Sequence, residues 1–305
     1  MDTTKEYILF MSDGHSGHSF GLMNPATVLD YAGPNQKPDL HQPKTTKWQE
    51  KIWSEVIVNG LNAFAAQIGN APVVFVYGGD AINGTRYLDN LVTPKISQQC
   101  QIAADCMRYI FTQLNIKRVY LAYGTEAHVG IDGDAESMLI PLIDSPERPV
   151  VATPMAIINV GGADVSIVHH GFYVGEGYLR GNSARLQLQR RMLEDMMLVN
   201  KRPPALYLSG HVHRYVHTSH IETWGEEDIE SHAIVCPALL PMGGYARQVT
   251  RSQPILWTGM VLITITDGHI SNVNRDYILP IDMRESYGYP EGQGMRFYHW
   301  RGRGN

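Results

Sequence analysis

The sequence predicts an α/β fold of the α+β type, and three observations carry that expectation. Short apolar runs rich in β-branched and aromatic residues recur along the chain. Longer segments with apolar residues at helical spacing separate them. Five of the runs stop abruptly in polar, chemically capable residues, and in open α/β sheets ligands gather beyond the carboxyl ends of strands.

The predicted strands follow in order. Tyr7–Met11 ends in Ser12-Asp13-Gly14-His15, and Val73–Tyr77 ends in Gly78-Gly79-Asp80. Val119–Tyr123 ends in Gly124-Thr125-Glu126-Ala127-His128. Val165–Val168 ends in His169-His170-Gly171, and Ala205–Leu208 ends in Ser209-Gly210-His211-Val212-His213. Ile234–Cys236 and Met260–Thr266 read as further strands. Helices are expected over Trp48–Ile68, over Ile96–Leu114 after Pro94, and over Ala184–Val199. Pro25–Pro43 and the acidic stretch Trp224–Ser231 read as loops. One domain is expected over residues 1–295, followed by a basic, Gly-rich tail, Arg296–Asn305, expected to be partly disordered.

Composition bounds the function. The 305 residues are 44% hydrophobic and 18% charged, which is ordinary for a globular chain with a sizeable core. A net charge of −5 disfavours a protein built to grip long nucleic acid. Cys100, Cys106 and Cys236 show no CxxC spacing, so a reducing, cytoplasmic setting is expected. No apolar stretch approaches the ~18 residues of a membrane span, and no membrane partner is expected.

The strand-end residues form a ligand set. Asp13, His15, Asp80, Glu126, His169 or His170, His211 and His213 offer the carboxylate oxygens and imidazole nitrogens that hold hard or borderline divalent ions. In Asp13-x-His15 and His211-x-His213, residues two apart in extended chain point the same way. Gly14, Gly79 and Gly210 allow tight turns beside such a cluster. Any one of these histidines, taken alone, reads more readily as a hydrogen-bonded structural residue than as a ligand. The ordered set is what carries the signal.

The order DxH, GD, a Gly-initiated loop with His, HH and GHxH resembles the calcineurin-like metallophosphoesterase superfamily, and the resemblance spans Asp13 to His213. It implies a four-layer α/β/β/α sandwich of two mixed β-sheets flanked by helices. It implies two divalent metal ions, drawn from manganese, iron, zinc, nickel or magnesium, and a metal-bridging hydroxide that attacks a phosphate mono- or diester. By the same resemblance Asp13 and His15 are ligands of the first metal, Asp80 is the bridging carboxylate, and His211 and His213 are the closing pair. His169 or His170, with His169 favoured, is the lone His of the second metal. His128 resembles the non-ligand His that stabilises the transition state and protonates the leaving oxygen.

One departure matters. The family usually has Gly-Asn-His at the third motif, and that Asn binds metal. Here the Asn is missing, which leaves Glu126, Thr125 or a water to fill the position. Arg86 and His18 are the candidate substrate contacts, although Arg86 does not match the family's Arg spacing. A small or local phosphate ester is the expected substrate. A nuclease of the same superfamily, acting on DNA ends or single strands, and a non-catalytic metal-binding module are the competing readings.

Two bland features complete the reading. The arginines Arg180, Arg185, Arg190 and Arg191 are expected on a solvated, salt-bridged helix face with Glu194 and Asp195. Met192, Met196 and Met197 are expected in core packing. Arg247 and Arg251 flank Gly243-Gly244-Tyr245, a candidate loop at the site mouth.

Overall fold

The computed structural model describes residues 4–32, 36–86, 90–130, 133–174, 180–240 and 255–282. The tail Arg296–Asn305 and the stretch with Gly243, Arg247 and Arg251 lie outside these described residues.

The first sheet has six strands. They are β1 (Lys5–Met11), β4 (Val73–Tyr77), β5 (Ile116–Ala122), β6 (Val150–Thr153), β13 (Val261–Thr266) and β14 (His269–Asn274), in the order β14-β13-β1-β4-β5-β6. Strands β1, β4, β5 and β6 run parallel, while β13 and β14 pair antiparallel. The second sheet has the order β10-β11-β9-β8-β7, from β7 (Met155–Val160), β8 (Ala163–Val168), β9 (Leu206–Ser209), β10 (Val216–Trp224) and β11 (Glu227–Val235). Its three middle strands are parallel and both edges are antiparallel. Two small pairs stand apart: β2 (Leu29–Asp30) with β3 (Leu40–His41), and β12 (Ile255–Gly259) with β15 (Ile278–Asp282).

The strict alternation of side chains along a strand sorts the core into layers. On β1, Tyr7, Leu9 and Met11 face the helices, where they join Trp53, Phe64, Met107 and Leu139. Ile8 and Phe10 face the second sheet, where they meet Val165, Ile167, Leu206 and Leu208. On the far side of the second sheet, Tyr207, Ala233 and Val235 pack on Ala184, Leu188 and Met192 of α6 (Arg180–Glu194). Helix, sheet, sheet, helix is therefore the layer order, and the expected mixed-sheet sandwich is what forms.

The outer helices over the first sheet are a long rod, α3 (Ile96–Gln113) and α5 (Asp134–Ile143). The rod runs from α1 (Lys47–Lys51) through a π-helical stretch, Ile52–Val58, into α2 (Asn59–Ile68). Thr46 and Gln49 form a reciprocal capping box at its start. A four-residue helix, α4 (Glu126–Val129), follows β5.

Three expectations need correction. Trp224–Ser231 is not a loop: it holds the last residue of β10, the two-residue connection Gly225-Glu226, with Gly225 at φ +68°, and the first half of β11. Its acidic residues Glu227, Asp228 and Glu230 are exposed on the strand while Ile229 and Ser231 are buried, so acidity marked a solvated strand edge. Met192 and Met196 are core, but Met197 is 76% exposed on the π-helical turn Asp195–Val199 that ends the α6 rod. Arg190 pairs with Glu194 as expected, whereas Arg191 lies over the Phe172 ring and donates to the Gly171 carbonyl at 2.7 Å. It thereby ties α6 to the loop after β8.

Candidate metal centre

Five strand ends, three from the first sheet and two from the second, meet at one end of the sandwich. Their loops are stitched by backbone hydrogen bonds. Asp13 N donates to Gly79 O at 3.0 Å, His15 N to Asp80 O at 3.0 Å, and Gly210 N to His169 O at 3.2 Å. The turns are strained: Asp13, His15, Asp80, His211 and His213 all have positive φ, between 43° and 71°. Non-glycine residues held there cost ~1–3 kcal/mol each and persist where surrounding structure enforces them, commonly at ligand clamps. Gly79, at φ +100°, leaves room for His169: a Cβ there would stand 2.4 Å from its Nδ1. A Cβ on Gly124 would meet the Asp80 backbone N at 2.3 Å, so the loop after β5 rides against Asp80.

The two buried carboxylates share a pattern. Asp13 Oδ2 accepts from Ser12 Oγ at 2.5 Å and from His211 N at 2.9 Å. Its Oδ1 is buried with no hydrogen-bond partner among the described residues, 3.5 Å from His213 Nε2. Asp80 Oδ1 accepts from Thr125 N at 2.6 Å. Its Oδ2 faces His169 Nε2 at 3.2 Å and His15 Nε2 at 4.0 Å. In each carboxylate one oxygen is tied down and the other is turned into the cluster, the outer-shell arrangement that orients metal ligands.

The imidazoles are oriented the same way. His169 Nδ1 lies 2.5 Å from the Gly78 carbonyl, to which it donates, so Nε2 is presented to Asp80. His128 Nδ1 donates to the Asn83 carbonyl at 2.8 Å, which fixes the orientation of its ring. His15 is buried with neither ring nitrogen hydrogen-bonded among the described residues, and His213 Nδ1 is likewise buried without one. Buried polar atoms left without partners are costly, and coordinated ions are a standard way of satisfying them. Four groups place one donor atom per residue within 4.8 Å of one another. These are Asp13/His15/His213, Asp13/Asp80/His169, His15/Asp80/His128 and His169/His170/His211. The residues present fit divalent ions.

Electrostatics agree with that donor set. Burial opposes ionisation of Asp13, yet the neighbouring His213 and His169 imidazoles outweigh it and hold its carboxyl at about 2. Asp80 is held further below the usual carboxylate range, its burial outweighed by the hydrogen bond to His169. Burial pushes His15 well below the usual range, and His128 beside it adds to the effect. His211 falls to about 4 through burial and then the neighbouring His170. His169 moves the other way: its burial is outweighed by the hydrogen bond to Asp80, which raises it to about 9, and since neutral imidazoles and ionised carboxylates are the forms that ligate, an ion bound there would displace its proton.

Of the remaining candidates, the structure brings some in and leaves others out. Glu126 is exposed on the first turn of α4 and belongs to none of the four groups. Thr125, the residue before it, turns its hydroxyl into the cluster instead, 3.1 Å from Asp80 Oδ2. His170 joins the cluster together with His169. Arg86 is exposed beyond the loop after β4. His18 is partly buried; burial and then nearby His128 lower its pKa to about 4, and its Nδ1 accepts from Phe20 N at 3.1 Å.

Sequence reasoning missed Ser12 and Glu136, and held Thr125 only as an alternative to Glu126. Glu136, on α5, is fully buried and accepts from Ala81 N, next to Asp80. Burial, then the charge of Asp80, raises its pKa to about 8. A raised acid pKa means that the fold favours the protonated form. Its contribution to stability is full below the ordinary value of 4.5 and is lost as pH rises through about 8. Glu136→Gln mimics the protonated carboxyl. In chelator-treated protein its melting temperature is expected to gain on wild type as pH goes from about 5 to about 9. A constant difference across that window would contradict the assignment.

No family model matches the chain, and no curated protein matches it. Among solved structures, an archaeal phosphodiesterase is similar over 85% of this chain and 92% of its own, with 11% identity and a TM-score of 0.35. A Thermotoga maritima protein is similar over 88% of this chain and 98% of its own, with 12% identity and a TM-score of 0.31. An Aquifex aeolicus protein of unknown function covers 68% of this chain and 80% of its own, with 16% identity and a TM-score of 0.27. Likeness of this degree carries no functional argument.

Proposed function

We propose that the chain is a metal-dependent phosphoric ester hydrolase of the calcineurin-like type, whose strand-end carboxylates and imidazoles would hold two divalent ions. The observation that carries this reading is the paired carboxylate geometry: Asp13 and Asp80 each have one oxygen fixed by backbone N–H donors and the other turned among imidazoles. Asp13, His15 and His213 would hold one ion, and His169 and His211 the other, with Asp80 shared. Bound there, divalent ions supply Lewis acidity towards phosphoryl oxygens and lower the pKa of coordinated water.

The chain's own residues supply the rest. His128, anchored through Nδ1 on Asn83 O and packed edge-on to His15 with ring centroids 4.5 Å apart, offers Nε2 to the leaving oxygen. No covalent enzyme intermediate is required. His18, whose burial and proximity to His128 keep it neutral, lies beside His128 and can donate a hydrogen bond from Nε2 to the ester. The net charge of −5 favours a small or local phosphate ester over long nucleic acid.

The test is a panel of a chromogenic phosphodiester, a phosphomonoester and single-stranded DNA, each with manganese, zinc, nickel or magnesium. Metal-dependent release from either chromogenic ester supports the reading. Cleavage of DNA alone would favour the nuclease, and inactivity on all three would favour a binding module.

A further inference from the structure

The loop after β5 lacks the family's Asn, and what replaces it is not the carboxylate two residues past Gly124. Thr125 Oγ1 stands 3.1 Å from Asp80 Oδ2, 3.2 Å from His169 Nε2, 3.4 Å from His170 Nε2 and 3.3 Å from His211 Nδ1. We propose that the Thr125 hydroxyl and the His170 imidazole are direct ligands of the ion held by Asp80, His169 and His211. That half of the site is then a nitrogen-rich pocket for a late first-row transition ion rather than magnesium. The proposal rests on the dinuclear reading above and specifies one of its two sites.

Hydrogen bonding alone does not account for the arrangement. A hydroxyl has one proton and two lone pairs, three bonding positions in all. Four polar atoms surround Oγ1 at nearly equal distance, so at least one contact is left over. The distances instead match neighbours around a common cation. Ligands ~2.1 Å from a metal in tetrahedral to octahedral geometry stand about 3.0 to 3.4 Å from one another. The Asp80 Oδ2 to His169 Nε2 separation, 3.2 Å, falls in the same interval.

Three imidazoles crowd this point. The rings of His170 and His211 have centroids 4.0 Å apart, and those of His169 and His170 4.7 Å. Each offers a nitrogen to the same small volume. His170 is the extra ligand here, because the family's pattern has a single His at this place.

Ligand chemistry sets the preference. Three imidazoles, one hydroxyl and one shared carboxylate suit zinc, nickel, cobalt or iron, whereas magnesium favours carboxylates and water. The hydroxyl also explains how Glu126 can face solvent. Thr125 fills the ligand position without adding negative charge, so the ion keeps its electrophilic pull.

The experiment is a cobalt titration of the full chain freed of metal with chelator. It reads visible d–d absorption and bound ions per chain by mass spectrometry, with no activity assay involved. Wild type is expected to bind two ions. Thr125→Val keeps the shape and removes the oxygen. It and His170→Ala should each weaken one of the two ions by at least ~10-fold and change its spectrum, since even partners of ligands contribute ~10–100-fold. Thr125→Ser, which restores the hydroxyl, should retain both ions, and millimolar magnesium should not displace the affected one.

Wild-type affinity and spectrum in Thr125→Val would overturn the role of the hydroxyl while leaving the dinuclear site standing. The same result in His170→Ala would overturn the fifth ligand, and displacement by magnesium would overturn the metal preference. A wild-type chain that binds no ion would overturn the dinuclear reading itself.

Discussion

Asp80→Asn is expected to abolish tight binding of both ions, each by more than ~10²-fold, and to take ester hydrolysis down with it. The reasoning starts from the two oxygens. Asn keeps an acceptor for Thr125 N, which donates to Oδ1 at 2.6 Å, so the loop after β5 retains its anchor. What disappears is the negative oxygen that stands between His169 at 3.2 Å and His15 at 4.0 Å. Loss of an outer partner of a ligand already costs ~10–100-fold in metal affinity, and loss of a shared direct ligand costs at least the upper end of that range at each site. Metal content after dialysis and turnover of a chromogenic ester check this together. Two ions retained at wild-type affinity would remove Asp80 from its bridging place.

His128→Ala is expected to separate chemistry from metal binding. Its Nδ1 donates to Asn83 O at 2.8 Å, which orients the ring, and the proposed role has Nε2, when protonated, face the leaving oxygen. General acid catalysis contributes ~10²–10⁴-fold, so turnover should fall by ~10²-fold or more while both ions stay bound. The loss should be largest for esters with poor leaving groups, which need the proton most. His128 also lies within ligand distance of His15 and Asp80, so the alternative is concrete. Loss of an ion from His128→Ala would make it a ligand, and unchanged turnover would remove it from the reaction.

The sandwich and the outline of the site were legible in the sequence because both are written in local pattern. Val73–Tyr77 is all apolar because β4 is buried on both faces, and it stops where Asp80 must turn inward. The same logic marked β1, β5, β8 and β9. The edges were less legible. β7 and β10 are half-solvated, and the charges of β11 sit on its exposed face, so the hairpin resembled a polar loop. Pro141 inside α5 broke the helical pattern that would have revealed it.

Within the candidate cluster, identity and order pointed to Asp13, His15, Asp80, His169, His211 and His213, since carboxylates and imidazoles stood at the ends of strand-like runs, and the fold brings them together. Orientation was hidden. Thr125 and Glu126 are adjacent, and the chemically stronger ligand is the one that faces out. The choice is made by where α4 begins: Thr125 precedes its first turn and Glu126 lies on it. Ser12 reads as an ordinary small polar residue until its hydroxyl is seen on Asp13 at 2.5 Å. Glu136 belongs to no strand-end motif, and its burial behind Ala81 shows only in the folded chain.

Anomalous diffraction from crystals grown with manganese or zinc tests the whole account most directly. Two peaks about 3.5–4 Å apart are expected, one on each side of the Asp80 carboxylate. The first should lie among Asp13, His15 and His213, and the second among His169, His170, His211 and the Thr125 hydroxyl. A map with no peak at Asp80, or with ions bound only elsewhere on the surface, would contradict it.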